Sequence, residues 1–117
     1  KNKEFEKDNV AEKMEQAKII MNENVCKEID PEELAEKLNI SYSWFRKTFK
    51  KYTGYSPAKY FQELKLRKAK QILINTSYPV KEICFMIGYT STEHFSNLFK
   101  KNTGLTPLEY RSFGKDE

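Results

Sequence analysis

The stretch Phe49-Lys50-Lys51-Tyr52-Thr53-Gly54 returns 50 residues later as Phe99-Lys100-Lys101-Asn102-Thr103-Gly104. The similarity extends beyond both ends of this stretch, with Phe45, Ser56-Pro57 and Tyr60 matched by Phe95, Thr106-Pro107 and Tyr110. An apolar helix, a tight corner and a second helix that ends at glycine have the pattern of a helix-turn-helix. The chain contains this unit twice, which predicts two binding sites for one partner.

Signals for helix starts and stops recur along the whole chain. Apolar residues at positions 10, 14, 17 and 21 follow the spacing of one helical face. Asp30-Pro31 and Ser41 are typical of helix N-termini, and Gly54 is typical of a left-handed helix end. Gly88 is expected at the corner of the second unit, where a residue without Cβ permits a tight reversal. No segment alternates with period 2, so we predict an all-α fold of about seven helices.

These signals predict two helix-turn-helix subdomains joined by a long connecting helix. The expected boundaries are a disordered tail or linker end at 1–8, the first subdomain at 9–55, the connecting helix at 56–75, the second subdomain at 76–113 and a tail at 114–117. A connecting helix of about 18 residues is about 27 Å long. Since successive major-groove segments on one side of a duplex lie about 34 Å apart, such a helix can place two units in adjacent segments.

The charge of the 117-residue chain is distributed unevenly. The formal net charge is +4, but residues 1–40 carry 7 basic and 11 acidic residues, whereas residues 41–104 carry 12 basic and 3 acidic residues. Positive charge concentrated over the stretch that holds both second helices and the connector between them indicates a polyanionic partner. The alternative is a solvated lysine-rich surface. No run is apolar enough to cross a membrane and no signal peptide is evident. Cys26 and Cys84 show no metal spacing and fit a reducing cytoplasm.

Side chains on the outward faces of the two second helices are the candidate DNA contacts. Arg46 can bind guanine through two hydrogen bonds, Asn97 can pair with adenine, and Glu93 can accept from cytosine. Lysines 47, 50 and 51 carry the charge for phosphate contacts, which position a protein without specifying sequence. Expected phosphate contacts are Ser41, Tyr42, Lys50 and Lys51 in the first unit and Ser91, Lys100 and Lys101 in the second. In the alternative reading, Arg46 and Asn97 are ordinary surface residues. Trp44, Phe45, Thr48 and Phe49, with Phe95, Leu98 and Phe99, are expected to face the core.

The motifs resemble those of the DNA-binding domain of the AraC/XylS family of bacterial transcription regulators. The resemblance covers about residues 8 to 113. It is carried by Leu34-Ala35 through Ile40-Ser41, Phe49-Lys50, Thr53-Gly54, Ser56-Pro57, Leu66-Arg67-Lys68-Ala69, Ile72-Leu73, Val80, Glu82-Ile83-Cys84, Ile87-Gly88-Tyr89, Phe95-Ser96, Phe99-Lys100-Lys101, Thr103-Gly104 and Thr106-Pro107-Leu108-Glu109-Tyr110-Arg111. Cys84 departs from the usual alanine, and Trp44 is larger than expected at its position.

The resemblance implies transcription regulation through two helices that both enter the major groove. Carried over residue by residue, the base-contacting positions of the family are Ser43, Arg46 and Lys47, and Thr92, Glu93, Ser96 and Asn97. The implied partners are double-stranded DNA, RNA polymerase, and an effector or sensor domain outside this chain. The resemblance also favours a structural ion pair between Arg67 and Glu82 over a phosphate contact.

Two other function classes are weighed against DNA binding. An enzyme is not expected, because the only histidine, His94, has no nucleophile or acid arranged around it by spacing. No metal or cofactor is expected, since two distant cysteines and one histidine do not form a ligand set. A protein-interaction module that uses the acidic residues 1–40 is the second alternative. The salt dependence of binding distinguishes such a module from a DNA-binding domain, because only binding to phosphates weakens steeply as the salt concentration rises.

Overall fold

The computed structural model describes residues 3–115, with side chains from Asn9 to Gly114. Within that range the chain forms seven α-helices and no strand, as predicted. The helices are α1 (Lys3–Glu23), α2 (Pro31–Lys37), α3 (Tyr42–Thr53), α4 (Pro57–Asn75), α5 (Val80–Met86), α6 (Thr92–Thr103) and α7 (Pro107–Lys115). The chain divides into two compact units: unit 1 comprises residues up to 24 and 28–62, and unit 2 comprises residues 25–27 and those from 63 onward.

The helix ends follow local hydrogen bonding. The Asp30 carboxylate accepts from the backbone N–H of Glu32 at 3.0 Å, and Pro31 occupies the first helical position of α2. α3 and α6 end alike at Gly54 and Gly104, each with φ of 85°. The N–H groups of these two glycines donate to the carbonyls of Lys50 and Lys100 at 2.8 and 2.7 Å. With serine caps at Ser41 and Ser91 and glycine ends at Gly54 and Gly104, α3 and α6 both contain 12 residues.

The core of unit 1 forms where α1 and α2 pack against α3. Phe45 and Phe49 of α3 are fully buried, and their ring centroids lie 5.5 Å apart. Phe49 meets the edge of the Tyr60 ring at 5.1 Å. Other buried apolar residues of this unit are Met14, Ala17, Met21, Leu34, Ala35, Leu38 and Phe61. The predicted helical face of α1 therefore supplies part of this core.

Unit 2 repeats the aromatic geometry of unit 1. Phe95 and Phe99 are fully buried with ring centroids 5.8 Å apart, and Phe99 meets Tyr110 at 5.3 Å. They pack with Leu66, Ala69, Ile72, Leu73, Ile83, Cys84 and Ile87. Burial raises the pKa of the Cys84 thiol, which stays protonated at neutral pH. Cys84 thus serves as the small core residue that the repeat predicts.

The corner between the two helices of each helix-turn-helix requires a left-handed residue. Asn39 occupies it in unit 1 with φ of 58°, and Gly88 occupies it in unit 2 with φ of 89°. The glycine corner was predicted, whereas the equivalent role of Asn39 was not. Asparagine suits this position because it tolerates the left-handed region better than most residues with a Cβ.

A buried lysine secures the corner of unit 2. Lys65 is only 5% exposed. Its ammonium donates to the carbonyls of Val25 at 2.8 Å, Lys27 at 2.6 Å and Ile87 at 2.5 Å. Ile87 is the C-cap of α5, so the ammonium also compensates a carbonyl left free at that helix end.

The helix ends and one surface contact differ from the sequence-based expectations. α1 begins at Lys3, inside the expected tail of residues 1–8, and α7 continues through Gly114 to Lys115, inside the expected tail of residues 114–117. Residues 1–2 and 116–117 lie outside the described residues. Arg67 and Glu82 form no ion pair within the described part of the chain. The lysine two positions before Arg67 is the one that is buried and hydrogen-bonded.

Candidate nucleic-acid interface

The outward face of α3 carries the candidate base contacts of unit 1. Because Phe45 and Phe49 are anchored in the core, the opposite side of the helix is turned to solvent. Ser43, Arg46 and Lys47 are all exposed on that side. A guanidinium, an ammonium and a hydroxyl on one helical surface match the donors that guanine and phosphate oxygens accept.

The outward face of α6 has a different chemistry. Glu93 and Asn97 are exposed, whereas Thr92 and Ser96 are only half-exposed. Thr92 lies close to the buried Cys84 thiol, whose pKa its hydroxyl lowers against the larger effect of burial. The four positions predicted on α6 therefore divide into two accessible residues and two partly enclosed ones. Unit 2 offers a carboxylate and an amide where unit 1 offers cations.

The residues predicted to contact phosphate are exposed in both units. They are Ser41, Tyr42, Lys50 and Lys51 in unit 1, and Ser91, Lys100 and Lys101 in unit 2. The two serines are N-caps: Ser41 Oγ accepts from the Trp44 N–H at 3.2 Å, and Ser91 Oγ accepts from the His94 N–H at 3.1 Å. A hydroxyl that accepts at a cap still has its own hydrogen to donate to a phosphate oxygen.

The four lysines also have a structural role. Lys50 and Lys51 lie in the last turn of α3, and Lys100 and Lys101 lie in the last turn of α6. Cations at this end of a helix interact favourably with its dipole, by about 0.3–1 kcal/mol each at exposed positions. Stability alone can therefore account for part of this charge. The two roles are separated by the DNA-binding test described below.

Trp44 does not lie in the core, contrary to the sequence-based expectation. It is 39% exposed, although Phe45 beside it is fully buried. Thr48 and Leu98, also expected to face inward, are half-buried. The buried stripe of α3 is therefore narrower than predicted and consists of Phe45 and Phe49.

His94 lies at the surface of unit 2, next to Tyr89. It is exposed on α6, and its ring meets the edge of the Tyr89 ring at 6.0 Å. Burial raises the pKa of Tyr89, so its phenol is neutral near pH 7. Among residues 9–114 no three histidine, cysteine or acidic side chains are grouped so as to hold a metal ion.

Comparison with known proteins places this geometry in a family. A family model described as a helix-turn-helix domain matches residues 34–112, which include α3 and α6. The chain belongs to the AraC/XylS family of helix-turn-helix regulators. The HTH-type transcriptional regulator GbdR of Pseudomonas aeruginosa is 33% identical over 99 residues, which cover 85% of this chain and 27% of GbdR. This AraC/XylS domain thus spans about a quarter of that relative.

Solved structures of this family have the same fold. A transcriptional regulator with an AraC-type DNA-binding domain from Chromobacterium violaceum aligns with a TM-score of 0.82 and 30% identity, over 87% of this chain and 91% of that one. The C-terminal domain of AraT, a response regulator from Geobacillus stearothermophilus, aligns with a TM-score of 0.83 and 27% identity, over 86% and 84% of the two chains. No helix within the described part of the AraC/XylS domain is long and apolar enough to span a membrane.

Proposed function

We propose that this AraC/XylS domain binds double-stranded DNA sequence-specifically and acts in the cytoplasm as a transcription regulator. The observation that carries the proposal is the pair of recognition helices, α3 and α6. Each is anchored by two buried phenylalanines and presents polar side chains to solvent. The printed names of relatives in this family, which describe transcriptional regulators, support the same role. We assign no catalytic activity to this chain.

We further propose that the two units bind adjacent segments of one major groove. α4 contains 19 residues, of which those up to 62 belong to unit 1 and the rest to unit 2. A helix of that length is about 28 Å long, similar to the roughly 34 Å that separates successive groove segments on one face of DNA. One chain then recognises two half-sites, a task that many helix-turn-helix proteins perform as dimers.

Each recognition helix contributes its own contacts in this proposal. Base edges are read by Ser43, Arg46 and Lys47 in unit 1 and by Thr92, Glu93, Ser96 and Asn97 in unit 2, with Glu93 and Asn97 the most accessible of the second set. RNA polymerase and an effector or sensor domain are proposed as further partners of the whole protein. These two partners follow from the family resemblance, since the residues described here contain no surface that identifies them.

The proposal is tested by binding of labelled duplexes at increasing salt. Fluorescence anisotropy should show an affinity that falls by about 0.9 log units per log unit of salt for each phosphate contact. A slope of several units supports binding through the exposed lysines. No binding even at low salt contradicts DNA binding and favours a protein-interaction module.

Arg46→Ala should weaken binding to the preferred site by about 1–3 kcal/mol and relax selectivity at one base pair. The guanidinium is exposed on α3, so the loss of its hydrogen bonds to a base should leave folding intact. Anisotropy titrations against the preferred duplex and its single-base variants measure both effects. Unchanged affinity together with unchanged base preference would show that Arg46 is an ordinary surface residue.

Lys50→Ala should weaken binding to all duplexes equally and lower the salt slope by about 1, because a phosphate contact carries no sequence information. Titrations at several salt concentrations, with specific and unrelated duplexes, give the slope. A change in base preference would contradict the phosphate role. An unchanged slope would show that Lys50 contacts no phosphate and contributes only its favourable interaction with the dipole of α3.

A further inference from the structure

An open groove in unit 1 borders the first recognition helix. It has a volume of about 590 Å³. It lies between α1, the corner before α3 and the first turn of α3, and its lining consists of Asn9, Val10, Lys13, Ile40, Ser41 and Trp44. The groove therefore begins where the proposed DNA-binding surface ends, because Ser41 belongs to both and Ser43 is only two residues further along the chain.

We propose that this groove receives the sugar–phosphate backbone of the DNA strand beside α3, with Trp44 packed against a deoxyribose. The indole of Trp44 is exposed although the neighbouring Phe45 is fully buried, so the core does not require an aromatic ring at this position. An exposed indole offers apolar area suited to the non-polar face of a sugar. The inference rests on the proposed function and assigns DNA contacts to residues outside the outward face of α3.

The charge of the groove suits a phosphate chain. Its lining contains one lysine and no acidic residue. Lys13 Nζ donates to the Leu38 carbonyl at 2.8 Å, which fixes the ammonium at the rim and leaves its other hydrogens available for a phosphate oxygen. The Ser41 hydroxyl and the Asn9 amide supply further donors. A backbone with alternating apolar sugars and anionic phosphates matches this combination of an indole, an ammonium and neutral donors.

The equivalent position of unit 2 has a different side chain. By the 50-residue repeat, Trp44 corresponds to His94. His94 is also exposed, and its backbone N–H also donates to the hydroxyl of the N-cap serine. The only tryptophan and the only histidine of the chain thus occupy the same position of the two recognition helices. The apolar sugar contact is therefore a property of unit 1.

The single tryptophan makes the test direct. Wild-type protein is titrated with a fluorescein-labelled duplex, whose anisotropy reports binding, and with the unlabelled duplex, while indole emission is recorded. Packing against DNA should shift or quench the Trp44 emission. The midpoint of this change should coincide with the midpoint of the anisotropy curve. Trp44→Ala should lower affinity about tenfold, the factor expected from about 55 Å² of apolar surface, and Trp44→Phe should recover part of the loss.

The salt slope distinguishes this contact from an ionic one. Trp44→Ala should leave the slope unchanged, because no phosphate charge is released from its counterions, whereas Lys13→Met should lower it. Tyr52→Ala removes an exposed aromatic ring from the same helix outside the groove and should leave affinity unchanged. Thermal melting of each variant checks that the fold is retained.

The outcomes separate the two proposals. If the wild-type protein binds no duplex, the proposed function itself fails. If DNA binds while Trp44 emission stays constant and Trp44→Ala binds like the wild type, the groove does not receive DNA. A loss with Trp44→Ala that appears only at particular base pairs would also overturn the inference, because a sugar contact does not read sequence.

Discussion

Replacing Gly88 by alanine should lower the free energy of unfolding by about 3 kcal/mol, the sum of backbone strain and overpacking at a crowded position. Gly88 has φ of 89°, a conformation that strains any residue with a Cβ. An added Cβ would also lie 2.7 Å from the Lys65 ammonium and 3.2 Å from the Cys26 carbonyl oxygen. The ammonium cannot move aside freely, since it is held by three carbonyls.

The matched control is Gly54→Ala. Gly54 has nearly the same φ, 85°, but a Cβ there meets no atom within 4 Å. Gly54→Ala introduces the backbone strain without the crowding, so it should lower the free energy of unfolding by only about 1 kcal/mol. Urea unfolding followed by circular dichroism measures both variants. Equal losses would show that crowding by Lys65 and Cys26 contributes nothing and that the left-handed backbone accounts for the whole effect.

Lys65→Met should lower the free energy of unfolding by about 2–4 kcal/mol, because buried carbonyls lose their donor while the apolar stem is kept. Its ammonium supplies hydrogen bonds to Val25, Lys27 and Ile87, and it lies 5.7 Å from the centre of the Tyr89 ring. Removal of one amine thus affects segment 25–27 and the end of α5 together.

Lys68→Met is the control for Lys65→Met, because Lys68 is exposed on the same helix. A change at such a surface position should fall within about 0.5 kcal/mol. Both variants are compared by urea unfolding under identical conditions. Equal stabilities of the two variants would contradict the structural role of the buried ammonium.

The fold was predictable from the sequence because its decisive features are local. Glycine stops at Gly54 and Gly104, serine caps at Ser41 and Ser91, and apolar spacing each depend on residues within one or two helical turns. The internal repeat added an independent check, since two copies of one unit predict the same core twice. In the structure the repeat extends to tertiary detail, because Phe45–Phe49 and Phe95–Phe99 have nearly the same ring separation.

Features that depend on distant parts of the chain were not predicted. The sequence of α4 alone suggests that Lys65 is a surface cation. Its burial depends on hydrogen bonds to carbonyls that lie 22 to 40 residues away in the chain. Trp44 has the apolar character and helical spacing of a core residue, but its exposure depends on how α1 and the corner before α3 are placed around the groove that it lines. The unpredicted start of α1 at Lys3 has a simpler cause, since its charged first turns lack apolar periodicity.

The candidate interface was predicted as a set of positions rather than as a set of contacts. All seven phosphate candidates are exposed, as a binding role requires, but exposure does not establish binding. The half-buried state of Thr92 and Ser96 could not be deduced from helical periodicity, because it depends on how α5 and Cys84 pack against α6. Glu93 and Asn97 are consequently the stronger candidates in unit 2.

The most direct test of two-site recognition is selection from a randomised duplex library at near-physiological salt, with wild-type protein, Arg46→Ala and Asn97→Ala. The wild type should recover an asymmetric site with two short blocks about one helical turn, or roughly 10 base pairs, apart. Arg46→Ala should relax one block and Asn97→Ala the other. A single block, or two variants that relax the same block, would contradict recognition by both helices.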